Sequence, residues 1–332
     1  MKIIFTPLLA GKPWNGRTLT TEPLGGSESA VGFLARALSL RGHEVIVYTH
    51  HNEQGFFDGV EYRNAYWLRD LHKDFCDVHI SSRWPEMLST MPPDRVGQRI
   101  LWVHDLGQQV LQGDKIVFLS EYHSGQYRVD RIDAEAAKRC YVIGNGVNLG
   151  DFLNYVPLEK REPGKMLWTS NPDRGLHVAA RILQELRQKW PELTLHIFGR
   201  AAVYGWGQEA EAPFYPRAED TEGLVVHEPL NKAALAQVLK TAWCLFYPTT
   251  WPETFCIATL EAQAAGTPVI AAPYGALTET VKGGMLTYNF DGAIEQLQDG
   301  AVWQQLSNQG RQYAAECDWL TRAKQWEDLF NV

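Results

Sequence analysis

Short apolar runs alternate with longer amphipathic stretches in the first half of the chain. The stretch SESAVGFLARALSLRG repeats apolar residues at helical spacing and predicts a helix, with Ser27 as its N-cap and Gly42 as its C-terminal stop. Apolar runs separated by helices of this length are typical of a parallel sheet covered on both faces. The predicted strands are KIIFTP, HEVIVYTH, DVHISS, RILWVHD, KIVFLS and RCYVIGN.

The same alternation restarts after residue 165. The predicted strands here are KMLWTS, LTLHIFG, GLVVHE, CLFYPT and PVIAAP, and the predicted helices are HVAARILQELRQKW, KAALAQVLKTA and IATLEAQAAG. Residues 148–165, which lie between the two halves, are rich in Pro, Gly and charge and show no periodicity. This composition predicts a linker.

We therefore predict an α/β protein of two Rossmann-like, doubly wound parallel-sheet domains, covering residues 1–150 and 151–332. The last helix, residues 312–332, is expected to pack back on the first domain. Ligands of doubly wound folds bind beyond the carboxyl ends of the strands. The sequence thus predicts a ligand site in a central cleft between the two domains.

Composition and charge narrow the range of functions. The chain has 332 residues, 45% of them apolar, and a formal net charge of -8, which argues against broad nucleic-acid binding. Its five cysteines are scattered and lack C-x-x-C spacing, which predicts a cytoplasmic protein without disulfides or a zinc site. No apolar run is long enough to span a membrane, and peripheral membrane contact stays open.

Two glutamates flank a predicted helix start in the second half. Glu253 follows the strand CLFYPT in a loop, and Glu261 lies about two turns into a helix that is expected to begin near Phe255 or Cys256. Free N–H groups of Phe255, Cys256 and Ile257 would attract an anion. Carboxylates on either side suit a ligand with hydroxyls and phosphate, such as a sugar nucleotide. The alternative is a helix with an acidic first turn and a solvated Glu261.

The residues around these glutamates resemble a known signature. Glu253, Phe255, Glu261, Ala262 and the Gly266-Thr267-Pro268-Val269 run are similar to the E-x7-E signature of family 4 retaining glycosyltransferases of the GT-B fold. Cys256 stands where that signature normally has glycine. The segments LGGSESAVGFLARALSLRGHEVIVYT, RILWVHD, VIGNGVNLGDF and GLVVHEPLNKAALAQVLKTAWCLFYPT extend the resemblance over most of the chain.

The resemblance implies an acceptor-binding first domain and a second domain that binds the nucleotide-sugar donor. It implies that Glu253 binds hydroxyls of the donor sugar and that Glu261 holds the ribose diol. The loop residues Thr254, Phe255, Cys256 and Ile257 are expected at the donor.

Arg174-Gly175 matches a Lys-Gly pair that contacts the diphosphate in this family. The family's preceding arginine is missing, and Ser170, Asn171 and Arg200 are candidates for the lost contact. The resemblance thus makes Glu253, Arg174 and His104 the catalytic candidates.

In the first half, the resemblance places Gly25 and Gly26 at the donor phosphates and His104 beside the donor sugar. A plain tight turn and a structural histidine are the alternatives. Asp105 and Trp14 are acceptor candidates, while nothing in the sequence ranks the neighbouring Arg83, Glu121 and His123. Two further tryptophans are flagged because aromatic faces pack on sugars, namely Trp84 and Trp251.

The resemblance predicts transfer of a sugar from a nucleotide diphosphate sugar to a carbohydrate, lipid-linked or small-molecule hydroxyl, by a retaining front-face mechanism. The chain lacks Asp-x-Asp, so we expect no required metal and no cofactor beyond the nucleotide-sugar co-substrate. A catalytically degenerate sugar-nucleotide-binding subunit and another GT-B enzyme, such as a sugar-nucleotide epimerase or phosphorylase, are the alternatives. The donor base and sugar, the acceptor and the oligomeric state stay open.

Overall fold

The computed structural model describes residues 1–9, 11–107, 110–127, 134–199, 214–216 and 222–331. The chain divides into two compact units. The first unit contains Met1–Gly146 together with Trp319–Val332, and the second contains Val147–Asp318. Each unit is built on one sheet with helices around it, which confirms the predicted α/β architecture with two parallel sheets.

The sheet of the first unit has the strand order β3-β4-β2-β1-β5-β6-β7-β8. All neighbouring strands pair in parallel except β3 and β4, which pair antiparallel. Ile3 of the central strand lies between Val45 and Val78, and all three side chains are buried. The strands are β1 Lys2–Pro7, β2 Glu44–Thr49, β3 Gly55–Phe57, β4 Val60–Asn64, β5 Cys76–Ser82, β6 Val96–Trp102, β7 Lys115–Phe118 and β8 Cys140–Val142.

The hairpin between β3 and β4 was not predicted from the sequence. Asp58 and Gly59 connect the two strands and both have positive φ, at 50° and 81°. An Asp-Gly pair is the usual sequence of a two-residue turn with this geometry. The sequence signal was therefore present, but the flanking apolar runs are short.

The α-helices described in the first unit include one long helix at the start of the chain and one at its end. Their bounds are Thr18–Thr21, Gly26–Leu40, Glu121–Tyr127, Ala134–Ala137 and Trp319–Phe330.

The helix Gly26–Leu40 differs at its start from the prediction. Its N-cap is Gly25, and Ser27 lies inside the first turn, where its hydroxyl donates to Glu28 at 3.0 Å. The predicted N-cap role of Ser27 is therefore wrong, because the extended backbone that a cap needs lies at Gly25. The predicted stop at Gly42 is confirmed, with φ 92° and its N–H donating to Ser39.

The C-terminal helix Trp319–Phe330 is held on the first sheet by both apolar and polar contacts. The Trp326 ring packs edge-to-face on Trp102, with the ring centroids 5.0 Å apart. The last carbonyls of the helix accept hydrogen bonds from side chains of β6 and β7. Lys115 donates to the Leu329 carbonyl, and Gln98 donates to the Phe330 carbonyl at 2.6 Å. These bonds satisfy carbonyls that a helix end leaves without partners.

The sheet of the second unit has the strand order β11-β10-β9-β12-β13-β14, with every neighbouring pair parallel. The strands are β9 Lys165–Trp168, β10 Thr194–Ile197, β11 Leu224–Val226, β12 Cys244–Tyr247, β13 Val269–Ala271 and β14 Gly284–Leu286. The described helices are Leu176–Arg187, Lys232–Thr241, Ile257–Ala264, Leu277–Thr280, Phe290–Leu297 and Gly300–Glu316.

The segment 148–165 is not a linker, because it belongs to the second unit and supplies a buried arginine. Arg161 is 4% exposed, and its guanidinium donates to Thr267 and to several backbone carbonyls. The carbonyl acceptors are Val156, Leu239, Ala242 and Ala265. Burial lowers the pKa of Arg161 to about 10.

Three of these carbonyls lie at the ends of two helices. Leu239 and Ala242 end the helix Lys232–Thr241, and Ala265 follows the helix Ile257–Ala264. Helix C-termini carry partial negative charge, which offsets the cost of burying the guanidinium. The Trp303 ring covers Arg161 at 4.7 Å.

Arg161→Met should destabilise the second unit by about 3 kcal/mol, because it leaves several buried carbonyls without a donor. The measurement is the midpoint of urea unfolding, followed by circular dichroism. The exposed Arg181 in the helix Leu176–Arg187 gives a matched control, and Arg181→Met should change stability by less than about 0.5 kcal/mol. Equal midpoints for the two variants would show that the buried bonds of Arg161 contribute nothing.

Candidate functional site

The loop that follows β12 in the second unit carries Glu253. This residue is 7% exposed and its carboxylate has two polar partners. The buried Tyr247 hydroxyl donates to it, and Arg174 forms an ion pair with it at 3.3 Å. Burial, followed by the nearby Glu253 charge, raises the pKa of Tyr247 well above its usual range, so this hydroxyl keeps its proton and acts as a donor.

The helix after this loop begins at Ile257, one residue after the start that was expected near Phe255 or Cys256. Cys256 is the N-cap and adopts left-handed backbone geometry, with φ 71° and ψ 83°. This geometry costs a residue with a side chain about 1–2 kcal/mol, and it explains why glycine is usual here in the resembling signature. A helix that begins at Ile257 leaves the N–H groups of its first turn without intrahelical acceptors.

The Cys256 thiol is not suited to nucleophilic attack. It is buried, and burial, with a smaller effect of Glu253, raises its pKa far above the usual value for a thiol. Only the thiolate is a strong nucleophile. Cys256 therefore contributes its backbone geometry rather than its sulfur to this loop.

Arg174 lies in the turn between β9 and the helix Leu176–Arg187. Gly175 follows it with φ 110°, a geometry that favours glycine. The Arg174 guanidinium lies over the Trp251 ring, 4.4 Å from its centroid, while Nη1 faces Glu253. The hydroxyl of Thr249 donates to the Arg174 carbonyl at 2.6 Å. Arg174, Trp251 and Glu253 are thereby brought together from two strand-to-helix loops.

Glu261 is also buried, at 7% exposure, so the alternative of a solvated glutamate is wrong. Its carboxylate accepts a hydrogen bond from Lys232 Nζ at 2.6 Å. Lys232 is the first residue of the helix Lys232–Thr241, which the Asn231 side chain caps. A lysine at a helix N-terminus is opposed by the macrodipole, and its carboxylate partner offsets that cost.

The structure gives fewer contacts for the remaining donor candidates. Ser170 follows β9, and its carbonyl accepts from the Trp168 indole N–H at 2.8 Å. Asn171 is buried, and its Oδ1 has no hydrogen-bond partner among the residues that the structure describes. Thr254 is half-buried beside Glu253. Arg200, the third candidate for the missing family arginine, lies outside the described residues.

In the first unit, Arg83 connects two candidate segments. Its Nε donates to Asp105 at 2.6 Å, and its Nη1 donates to Ser27 at 2.9 Å, in the first turn after Gly25 and Gly26. Arg83 itself has φ 64°, an uncommon geometry for a residue with a side chain. The sequence did not rank Arg83, whereas the structure places it between the acceptor candidate Asp105 and the Gly-Gly helix start.

Two buried histidines, His104 and His123, lie near Asp105. His104 is buried beside Trp102, and burial, followed by the charge of Arg83, lowers its pKa well below the usual value. His123 accepts from the Leu119 N–H at Nδ1, so its proton lies on Nε2, which donates to the Asp105 carbonyl at 3.1 Å. Both histidines are therefore neutral near pH 7, and His123 holds the backbone of Asp105.

The three candidate tryptophans differ in their solvent exposure. Trp14 is 3% exposed and packs edge-to-face on Tyr62, so its burial does not support it as an acceptor contact. Trp84 is half-buried against the core of the first unit. Trp251 is 41% exposed. Of the three tryptophans that the sequence flags, Trp251 alone keeps a substantial exposed surface.

Within the described ranges, no group of three or more His, Cys, Asp or Glu side chains could hold a metal ion. Across the same ranges, no helix has the length and apolar character to cross a membrane.

Comparison with known proteins finds a family model that matches part of this chain. Residues 166–300, which lie in the second unit, match the model of the glycosyl transferases group 1. Over this segment the chain is similar to the glycosyl transferases group 1. The matched segment contains Arg174, Lys232, Glu253 and Glu261, so the contacts described above lie within the part of the chain that the family shares.

Curated relatives of this chain are D-inositol 3-phosphate glycosyltransferases. The protein from Frankia alni is 26% identical over 261 residues, which cover 70% of this chain and 62% of the relative. The protein from Corynebacterium urealyticum is 27% identical over 169 residues, which cover 47% of this chain and 40% of the relative. The chain thus spans less than two thirds of the length of these relatives.

Solved structures extend the similarity to the whole chain at the level of fold. Sucrose-phosphate synthase from Thermosynechococcus elongatus matches with a TM-score of 0.77 and 18% identity, covering 100% of this chain and 98% of that chain. Alr3699/HepE from Anabaena, in complex with UDP-glucose, matches with a TM-score of 0.73 and 16% identity, covering 100% of both chains. The chain therefore has the GT-B fold.

Sequence reasoning missed several residues that contact the candidates. Tyr247 and Lys232 hydrogen-bond to Glu253 and Glu261, and the sequence gives no sign of either pairing. The helix dipole opposes a lysine at a helix N-terminus, so the position of Lys232 was the one available sign that it has an acidic partner. Arg83 was considered but not ranked, and the link of Trp251 with Arg174 joins residues from separate loops.

The neutral state of His123 predicts acid-sensitive folding of the first unit. Burial lowers the pKa of His123 to about 4, from 6.5 in an unfolded chain. The unfolded chain therefore binds more protons, and the contribution of His123 is complete above pH 6.5 and lost as the pH falls to about 4. We expect His123→Asn to make the decrease of Tm with falling pH shallower than in the wild type.

The measurement is thermal unfolding across pH 4 to 8 for both proteins. The exposed His72 on the same unit gives the control, because His72→Asn should keep the wild-type slope. Parallel Tm curves for wild type and His123→Asn would contradict the assigned neutral state.

Proposed function

We propose that this chain transfers a sugar from a nucleotide diphosphate sugar to an acceptor hydroxyl, with retention of configuration and without a required metal. The observation that carries this proposal is the arrangement around the helix start at Ile257. Two buried carboxylates, Glu253 before it and Glu261 within it, lie on either side of a first turn whose N–H groups suit an anion. The guanidinium of Arg174 lies beside Glu253.

A nucleotide diphosphate sugar has functional groups that match this order. Its diphosphate suits Arg174 and the N–H groups of the helix start, with the half-buried Thr254 beside them. Its ribose diol suits the acceptor-only oxygens of Glu261, and its sugar hydroxyls suit Glu253. The structural neighbour Alr3699/HepE, whose structure contains UDP-glucose, supports a donor of this class.

The proposed reaction breaks the bond between the anomeric carbon and the diphosphate oxygen. Negative charge grows on the departing diphosphate, where Arg174 and the helix start would stabilise it. We propose that the acceptor attacks from the face that the diphosphate leaves, as the resemblance to retaining glycosyltransferases implies. The buried thiol of Cys256 is not available as a nucleophile. The acceptor proton then moves to the departing phosphate oxygen.

In the first unit, we propose that Asp105 and His104 contact the acceptor side of the reaction. His104 is neutral, so it would donate or accept a hydrogen bond rather than supply a positive charge. Gly25 and Gly26 keep their proposed role at the donor phosphates. The acceptor is proposed as a carbohydrate, lipid-linked or small-molecule hydroxyl, and the curated relatives are named for a phosphorylated cyclitol.

A second candidate function is nucleotide-sugar binding without turnover. Two features favour it: the family's preceding arginine is missing, and Cys256 replaces the usual glycine. Binding of a nucleotide sugar without transfer or slow hydrolysis would identify this alternative.

The first experiment is a screen of UDP-, GDP-, ADP- and dTDP-sugars by thermal shift and by diphosphate release, with and without EDTA. We expect one nucleotide series to raise Tm and to be hydrolysed slowly in the presence of EDTA. A nucleotide sugar that raises Tm but is not hydrolysed or transferred would favour the binding subunit. Failure of every nucleotide sugar to bind would overturn the proposed donor site.

Substitutions of Glu261 and Arg174, the two charged residues proposed to contact the donor, should affect different kinetic constants. Glu261→Ala should raise the donor KM by at least about tenfold, because it removes charged hydrogen bonds to the ribose in the ground state and transition state alike. Arg174→Ala should lower kcat by about a hundredfold, because its charge acts mainly on the departing diphosphate. The measurement is steady-state kinetics with the donor that the screen identifies.

Two exposed residues of the helix Leu176–Arg187 give matched controls for these kinetics. Glu185→Ala and Arg181→Ala remove the same charges away from the site and should leave both constants unchanged. Equal and small effects of Glu261→Ala and Arg174→Ala would count against the assigned roles.

A further inference from the structure

Trp251 is a large apolar side chain in an exposed position. Its side chain is 41% exposed, and it is not part of the hydrophobic core of the second unit. Its described ring contact is with the Arg174 guanidinium, at 4.4 Å from the ring centroid. Packing of the core therefore does not account for a tryptophan at this position.

The backbone around Trp251 is fixed relative to Arg174 by one buried hydroxyl. Thr249 Oγ1 accepts from the Trp251 N–H at 3.0 Å and donates to the Arg174 carbonyl at 2.6 Å. The Trp251 carbonyl in turn accepts from the Glu253 N–H at 2.9 Å. The ring, the guanidinium and the carboxylate are thereby linked through short backbone contacts.

The Trp251 ring lies over Cζ of Arg174, while Asp173 and Glu253 face its Nε and Nη1. A guanidinium that lies on an aromatic ring uses its flat face, while its N–H groups point outward in its own plane. Nη1 of Arg174 faces Glu253 at 3.3 Å in this arrangement. A stacked arginine also loses less rotational freedom when it binds an anion, since its side chain is already restricted.

We propose that Trp251 is a positioning residue, whose ring holds the Arg174 guanidinium in the orientation that binds the donor diphosphate. This inference rests on the proposed function and adds a residue to it. Trp251 acts through Arg174 and does not itself touch the reacting atoms. Since the diphosphate gains charge as it departs, loss of the ring should affect kcat more than donor KM.

The test compares Trp251→Ala, Trp251→Phe and wild type with the donor from the screen. A cation–π contact contributes about 0.5–2 kcal/mol, so Trp251→Ala should lower kcat by about twofold to thirtyfold. Trp251→Phe keeps an aromatic face and should fall between Trp251→Ala and wild type. Because the side chain is exposed, Tm should change little for either variant.

Trp67 in the first unit gives a matched control. It is 44% exposed and has an arginine, Arg69, near its ring at 6.0 Å. Trp67→Ala removes an equally exposed indole beside an arginine and should leave kcat unchanged. An equal decrease of kcat for Trp67→Ala and Trp251→Ala would overturn the proposal.

A double-mutant cycle tests whether Trp251 acts through Arg174. In an Arg174→Ala background, Trp251→Ala should have no further effect on kcat, because the residue that it positions is gone. Fully additive effects would overturn the proposal, as would a loss of activity that follows a loss of Tm.

Binding measurements separate this inference from the proposed function. Trp251→Ala should weaken binding of the matching nucleoside diphosphate and leave binding of the free nucleoside unchanged. Loss of affinity for both would show a wider structural role and overturn the proposal. If wild type binds no nucleoside diphosphate among UDP, GDP, ADP and dTDP, the proposed function fails and this inference with it. An active wild type with an unaffected Trp251→Ala variant overturns this inference alone.

Discussion

The buried guanidinium of Arg161 fixes the part of the second unit on which the candidate site depends. It donates to carbonyls at the ends of the helices Lys232–Thr241 and Ile257–Ala264. The first of these helices begins with Lys232 and the second carries Glu261, so Arg161 joins the two helices that carry this ion pair. A positive charge can be buried here because helix C-termini supply partial negative charge and each acceptor is fixed by its own helix.

The backbone of Glu253 is held in close contact with the backbone at Gly275 and Ala276. A side chain on Gly275 would place its Cβ 2.7 Å from both the N and the O of Glu253, and the Ala276 N–H donates to the Glu253 carbonyl at 2.9 Å. Glycine at position 275 is therefore required by the contact between the loops after β12 and β13. Together with Arg174 and Tyr247, this contact holds Glu253 from its backbone and from both carboxylate oxygens.

Each of the two buried glutamates, Glu253 and Glu261, is paired with a basic side chain, but the two basic partners differ. Each has one basic partner, which burial of a carboxylate requires, since an unpaired charge away from water is costly. The partner of Glu253 is an arginine that lies over the Trp251 ring, whereas the partner of Glu261 is a lysine at a helix start. This difference fits a site in which one carboxylate lies beside the reacting groups and the other lies at the far end of the donor.

The sequence by itself determined the elements and the motif, because both are local. The period of apolar residues predicted most strands of both sheets, although not β3, β4 and β14. The residues around Glu253 and Glu261 carried the resemblance to the family before any contact was known. Tertiary structure alone decided the contacts of Arg161, Lys232 and Trp251, since each joins segments that no periodicity connects. It also showed the left-handed backbone of Cys256 at the helix N-cap, which no local pattern of the sequence reveals.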